Sequence, residues 1–473
     1  MARDALLEIG VEEIPARFML PALEQLQELL ERQLQERRLD YEGIKICGTP
    51  RRLAALVSGV AEAQEDTQEE VKGPPAERAL DEEGKPTQAA VGFARSKGVE
   101  PENLVVRETD KGAYLFAVFT QRGRAAVEVL GEVFPQVISQ LRFAKAMRWG
   151  SGSMRFARPI RWLVGLYGDE VVPFEVAGVE SARSSRGHRV LAPDQSGGHG
   201  GRPVELASAG DYLERLREAH VIADHRERRQ RVAEEAQRAA EEAGGRARLD
   251  DELLDELTFL VEWPTGVAGA FDPEYLELPE DVLVTVLRRN QKYFPVTDEQ
   301  GKLLAKFVTC HNGDPQASDL IRQGHERVIR PRLADAQFFF EQDRKAKLTD
   351  WQNELKRVTF LEGAGTVFQK CERLQKLAHW LCEQLDLPME IGAAAIRAAE
   401  LCKADLVSKM VMEPDFSSLQ GVMGGIYAEL RGEPPDVAMA IREHYLPTSA
   451  GGPLPQTPAG RIVSIADKMD TIA

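Results

Sequence analysis

ALLEIGV at Ala5–Val11, then Leu23, Leu26, Leu30 and Leu34, then IKICG and RRLAALVSGV across Ile44–Val60 form the stretch that decides the fold class. The first segment alternates loosely as a strand. The four leucines fall at helical spacing on a segment ending near Asp40. The last two segments pair as a hairpin around Gly48-Thr49-Pro50. Strand, helix, strand, strand is a small α+β unit. It opens a chain of 473 residues, too long for one ordinary core, so two to four domains are expected.

Outward from this block the pattern stays mixed and then turns helical. Ala61–Glu83 carries nine acids against two bases around Gly73-Pro74-Pro75 and reads as a loop or exposed arm. Thr87–Gly98 reads as a short helix, Leu104–Gly123 as a hairpin turning at Asp110-Lys111-Gly112, and Ala125–Leu141 as a helix. RWLVGLYGDEVVPFEV (Arg161–Val176) is a second hairpin. Gln195–Arg202 is glycine-rich and reads as a linker. Polar helices are expected at Asp211–Ala219 and Asp224–Ala243, followed by another α+β segment. From about Arg332 the pattern is helical almost to the end. The expected division is 1–65, 66–195 and 196–330 as α+β parts and 331–473 as an all-α part.

The net charge is −16, yet LRFAKAMRWGSGSMRFARPIRWLVGLYG (Leu141–Gly168) holds six bases and no acid. Arg148, Arg155, Arg158 and Arg161 interleave there with Trp149, Phe156, Trp162 and Tyr167. Cations neutralise phosphates and aromatic faces stack on bases, so a basic island on an acidic chain suggests a placed polyanion site. The competing reading is a solvated surface strand. Three further islands are Arg183, Arg186 and Arg189 in ARSSRGHR, Arg288, Arg289 and Lys292 in VLRRNQKYFPV, and the arginines of RQGHERVIRPR (Arg322–Arg332).

Other chemistry fails its context. Gly150–Ser153 lacks the GK[ST] ending of a phosphate loop, and LEGAGT (Leu361–Thr366) follows a helical stretch where a dinucleotide site needs a strand. Five cysteines without CxxC spacing argue for reduced thiols in the cytosol. No run of about 18 apolar residues exists, so no spanning helix is expected, and MARDALLEIG has no signal core. His379, Ala404-Asp405 and Asp467 have the spacing of HD metal-dependent phosphohydrolases. Ala404 stands where that chemistry needs an imidazole, so a working metal site is not expected. No catalytic residue is assigned.

Taken together, the motifs resemble the β subunit of bacterial heterotetrameric glycyl-tRNA synthetase. They include LLEIGVEEIPARFM (Leu6–Met19), GTPRRLA (Gly48–Ala54), KGPP (Lys72–Pro75) and MRWGSGSMRFARPIRWLVGLYG (Met147–Gly168). They continue with RGHR (Arg186–Arg189), VEWPTGVAGAF (Val261–Phe271), VIRPRLADAQFFFEQD (Val328–Asp343), EHYLP (Glu443–Pro447) and IADKMDTIA (Ile465–Ala473). Departures from the family pattern are Asn290-Gln291, Gly324-His325-Glu326 and Pro414–Ser418. The chain stops at Ala473, where the family continues into an anticodon-binding domain, so it reads as a fragment. The resemblance implies B-domain-like α+β modules followed by an HD-like helical domain. It implies a cytoplasmic α2β2 assembly with class II chemistry, glycine, ATP and magnesium on the α subunit. This chain would hold no cofactor and would bind tRNA-Gly, with Arg148, Arg155, Arg158, Arg161, Arg183, Arg186, Arg189, Arg288 and Lys292 as candidate contacts.

Overall fold

A computed structural model describes residues 2–81, 84–110, 112–195 and 200–473. The turn residue Lys111 and the centre of the glycine-rich segment, 196–199, lie outside the described residues. The chain forms two compact units: Met1–Arg231 with Asp255–Pro264, and Val232–Leu254 with Thr265–Ala473.

In the first unit the elements are β1 (Arg3–Val11), α1 (Met19–Glu36), β2 (Gly43–Thr49), β3 (Arg52–Val60), β4 (Thr67–Pro75), α2 (Ala76–Ala79), α3 (Gln88–Lys97), β5 (Leu104–Thr109), β6 (Gly112–Gln121) and α4 (Ala126–Gln140). After them come β7 (Ile160–Tyr167), β8 (Glu170–Val171), β9 (Glu175–Val176), β10 (Val179–Ala182), β11 (Ser184–Arg186), β12 (Pro203–Glu205) and α5 (Tyr212–Glu218). The main sheet runs β2-β3-β1-β7-β10-β9, with β8 beside β7. β1 is antiparallel to β3 and to β7, in register from Ala5 opposite Tyr167 to Gly10 opposite Trp162.

Both faces of β1 are covered, and the period-2 pleat assigns its residues to them. Ala5, Leu7 and Ile9 pack with Leu26 and Leu30 of α1 and Val133 and Phe134 of α4. Leu6 turns the other way, to Trp162, Val164, Tyr212 and Leu216. Gly10 is required by close approach: a Cβ there would lie 1.9 Å from the Trp162 ring.

Two expectations need correction here. The acid-rich Ala61–Glu83 is not a free loop, because it contains β4, which pairs antiparallel with β6 in the sheet β4-β6-β5. Backbone pairing is indifferent to charge when carboxylates face solvent or a cation; Glu70 meets Arg107 at 2.7 Å. The aromatic residues of the basic segment are not a stacking platform. Phe156, Trp162 and Tyr167 are buried, and Phe143 and Trp149 pack against the core that holds Phe156 and Tyr167. Core packing places these rings: Trp162 and Tyr167 from β7, and Phe143, Trp149 and Phe156 from the segment between α4 and β7.

The second unit draws on α6 (His225–Glu242) from Val232, β13 (Arg246–Ala247), α7 (Asp251–Thr258) as far as Leu254, β14 (Thr265–Ala270), α8 (Glu280–Thr285), β15 (Phe294–Thr297), β16 (Leu303–His311) and α9 (Ser318–Lys345). It continues with α10 (Leu348–Glu354), β17 (Thr359–Leu361), β18 (Gly365–Thr366), α11 (Val367–Gln384), α12 (Met389–Leu401), α13 (Lys409–Met412), α14 (Val422–Leu430), α15 (Pro435–Glu443) and α16 (Pro458–Ile472). Its four-stranded sheet runs β13-β15-β16-β14. One apolar core joins Leu287, Phe307, Leu333, Leu374, Ile441 and Val463. The helical region begins at Ser318, earlier than the sequence pattern placed it. It is not purely α, because the LEGAGT segment turns the β17–β18 hairpin.

Candidate functional site

The structure sorts the candidate cations by what already holds them. Arg148 and Arg155 lie in the loop between α4 and β7 and are exposed. Arg158 is half-buried and donates to the Ala157 carbonyl at 2.9 Å. Arg161 projects outward from β7 and meets Glu12 at 3.4 Å. Arg189 reaches the same Glu12 at 3.0 Å and Glu13 at 3.3 Å. Arg186 faces Asp194 at 3.7 Å. Arg183 donates to the carbonyls of Leu206 and Asp169 at 3.3 and 2.9 Å. Arg288, in the second unit, is ion-paired to Asp250. Lys292 is half-buried with a left-handed φ of 59°, and its carbonyl accepts from Thr309. Within the first unit, Arg161 and Arg189 therefore converge on Glu12, while Arg148 and Arg155 offer open charge.

Beneath β7 lies a charge cluster that motif reading missed. Arg52 is fully buried at the start of β3. Its guanidinium donates to Thr49 Oγ1 (3.2 Å), Ser185 Oγ (3.3 Å), the Arg186 carbonyl (2.9 Å) and Glu262 Oε1 (3.1 Å). Thr49 donates to the same Glu262 oxygen at 2.7 Å. Ser185 donates to the Glu8 carboxylate, at 2.7 and 2.9 Å from its two oxygens, and the Trp162 indole N–H donates to Glu8 as well. Burial alone would raise the Glu262 carboxyl pKa; Arg52 and Arg51 outweigh it and hold the group below the usual carboxylate value. The available signal was an Arg-Arg pair opening an otherwise apolar strand, and a glutamate inside ALLEIGV.

The HD-spaced residues do not assemble as their spacing suggested. His379 is exposed on α11 and pairs with Glu383 at 3.3 Å. Ala404 and Asp405 are buried. Asp405 accepts from the backbone N–H groups of Gly421 (2.6 Å) and Gly424 (2.9 Å), capping α14. Burial pushes its carboxyl pKa up to about 6.

Asp467 instead meets His444, a residue the spacing argument passed over, across the ammonium of Lys403. Lys403 Nζ lies 2.9 Å from His444 Nε2 and 2.9 Å from Asp467 Oδ2. His444 Nδ1 contacts the Ile441 carbonyl at 2.6 Å, which fixes Nδ1 as the protonated nitrogen and Nε2 as the acceptor. Burial and Lys403 lower the His444 pKa to about 3. Lys370 adds a second cation, 3.1 Å from Asp467 Oδ1. The donor atoms that a divalent ion needs are thus engaged by two internal ammonium groups, and the residues present do not fit a metal.

Two outcomes follow from that arrangement. Millimolar manganese or EDTA is expected to leave the unfolding temperature unchanged; a rise of several degrees with manganese would contradict the role given to Lys403. The His444 ring is expected to stay neutral from pH 8 to pH 5 in NMR titration. Its folded pKa lies below its unfolded value, so the unfolded chain takes up that proton first. This group's contribution therefore erodes stability as pH falls from 6.5 towards 3.

No helix among the described residues is long and apolar enough to cross a membrane. All five cysteines are buried and free.

The family model for the glycyl-tRNA synthetase beta subunit matches residues 5–473. The glycine–tRNA ligase beta subunit of Moorella thermoacetica is 48% identical over 472 residues, covering 100% of this chain and 67% of that protein. The one from Desulforamulus reducens is 46% identical over 472 residues, covering 100% and 66%. The one from Syntrophus aciditrophicus is 45% identical over 473 residues, covering 100% and 67%. The chain spans about two thirds of the length of these relatives. On a match that runs from β1 to the last helix, the chain belongs to the glycyl-tRNA synthetase β subunit family.

Proposed function

We propose that this chain acts as the β subunit of a glycine–tRNA ligase, binding and positioning tRNA-Gly while a partner α subunit joins glycine to it. The observation that carries this reading is the family match over 5–473. In this reading ATP and magnesium serve the class II centre of the α subunit, the assembly is an α2β2 heterotetramer in the cytoplasm, and this chain supplies no catalytic group. The helices from α11 to α16 form a degenerate HD-like module that contacts the acceptor arm. Lys403 between His444 and Asp467 argues against hydrolytic chemistry there.

The decisive measurement is the mass in solution of this chain mixed with the matching α subunit, with and without tRNA-Gly. A stable mixed complex that takes up tRNA is the expected result; a chain that joins neither partner would sink the reading. Charge reversal at Arg148 and Arg155, both exposed, tests the RNA face without disturbing the core. Affinity for tRNA is expected to fall, and the slope of log K against log salt to flatten by about 0.7–0.9 per lost phosphate contact. Unchanged binding at low and high salt, with the fold intact, would remove these two residues from the interface.

A further inference from the structure

A cavity of about 170 Å³ in the first unit is lined by Glu12, Arg51, Arg161, Trp162, Arg186 and Asp194, with Gly200 beside them. Its size restricts the ligand. Pockets for drug-sized molecules occupy roughly 300–1,000 Å³, so this one has room for a group the size of a single tetrahedral oxyanion. Its charge restricts the ligand further, since three guanidinium groups face two carboxylates. Glu12 is divided between Arg161 and Arg189.

Arg51 is the informative member. Its side chain is 4% exposed, and its nearest carboxylate, Glu262, stands 3.7 Å away. Arg52 and Thr49 both bind its Oε1, and Arg51 Nη1 faces its Oε2. Arg51 Nε and Nη1 are enclosed and have no hydrogen-bond partner; Nη2 is the atom beside the cavity-lining Gly200. Burial lowers the Arg51 pKa, with Glu262 only partly opposing it. A buried guanidinium whose carboxylate stands off at 3.7 Å is under-compensated, and an anion at Nη2 adds the missing charge. Arg51 and Arg52 both lie over the Trp162 ring, each 5.6 Å from its centre, so the group is held in place before any ligand arrives.

We propose that this cavity binds one phosphate group, with Arg51 and Arg161 as its ligands, and that in the assembled enzyme the group is a phosphodiester of the bound tRNA. The second half rests on the tRNA reading above; the first half does not.

The test uses the full chain, with inorganic phosphate titrated by calorimetry at constant ionic strength against chloride. Three proteins are compared: wild type, Arg161→Gln and Gly200→Leu. Among the described residues a Cβ at Gly200 meets only Arg51 Nη2, at 3.4 Å, so the leucine obstructs the cavity while every charge stays in place. Arg161 is more than half exposed, so its replacement spares the fold; Arg51→Gln is avoided as the sole probe because it also unbalances Glu262. The expected result is phosphate binding by wild type that weakens at least tenfold in both variants. No phosphate-specific binding by wild type, or equal binding by all three, overturns the site. Binding of tRNA is measured on the same proteins. Competition between phosphate and tRNA, with a salt slope reduced by about 0.7–0.9 in the variants, supports the phosphodiester. Phosphate bound at the cavity with tRNA affinity unaltered overturns that source in favour of a free phosphate. A wild type that binds phosphate but no tRNA fails the functional reading and keeps the site.

Discussion

Glu262→Ala is expected to destabilise the first unit by about 3–5 kcal/mol, the range for removing one partner from a buried ion pair. Arg52 is fully buried, and Glu262 supplies its carboxylate at 3.1 Å. The substitution strands that guanidinium, removes the acceptor of Thr49 and leaves Arg51 with no carboxylate at 3.7 Å. Urea unfolding followed by tryptophan fluorescence reads the effect, since Trp162 lies in the same cluster. A loss below about 1 kcal/mol would mean that water or a displaced carboxylate rescues Arg52. The pH dependence has a definite sign. The folded pKa of Glu262 is depressed below 4.5, so its stabilisation is present above the unfolded value and is lost as pH falls through the folded one. Glu262→Gln is therefore expected to flatten the acid limb of the stability curve.

Asp343→Ala is expected to cost the second unit about 3 kcal/mol or more. The carboxylate at the end of α9 accepts from the backbone N–H of Lys409 (2.7 Å) and Met410 (3.0 Å) and from the Tyr427 hydroxyl (2.7 Å). It thus holds the first turn of α13 and a residue of α14 to α9. Each buried donor left unmade costs about 1–3 kcal/mol, and two of the three are main-chain groups with no alternative rotamer. Asp343→Asn keeps one acceptor oxygen and is expected to lose less than the alanine variant. Hydrogen exchange at Lys409 and Met410 gives the local readout. Protection unchanged in the alanine variant would show that these amides find other partners.

The resemblance and the secondary structure were legible for the same reason: both depend on local order. Leu23, Leu26, Leu30 and Leu34 lie on one face of α1 because the helix repeats every 3.6 residues. The apolar run of β7 announced a strand. The acid-rich β4 was hidden, because its pairing with β6 is made by the backbone, which carries no mark of the side chains. The basic–aromatic segment was misread in its aromatic half, since rings that pack into a core and rings that interleave for stacking look alike in one dimension.

By itself the sequence determined that this is a mixed α+β chain turning helical, related to the β subunits of glycyl-tRNA synthetases, with basic islands on an acidic background. Only the tertiary structure decided which charges are available. Antiparallel pairing of β1 with β7, more than 150 residues apart from Ala5 to Tyr167, brings Glu8 under Trp162. The RGHR segment and Glu262 complete that cluster from still farther along the chain. It also replaced His379 by His444 beside Asp467 and put Lys403 between them. Spacing fixes neighbours on one helix or strand, whereas charge compensation acts between whichever side chains the packed core excludes from water together.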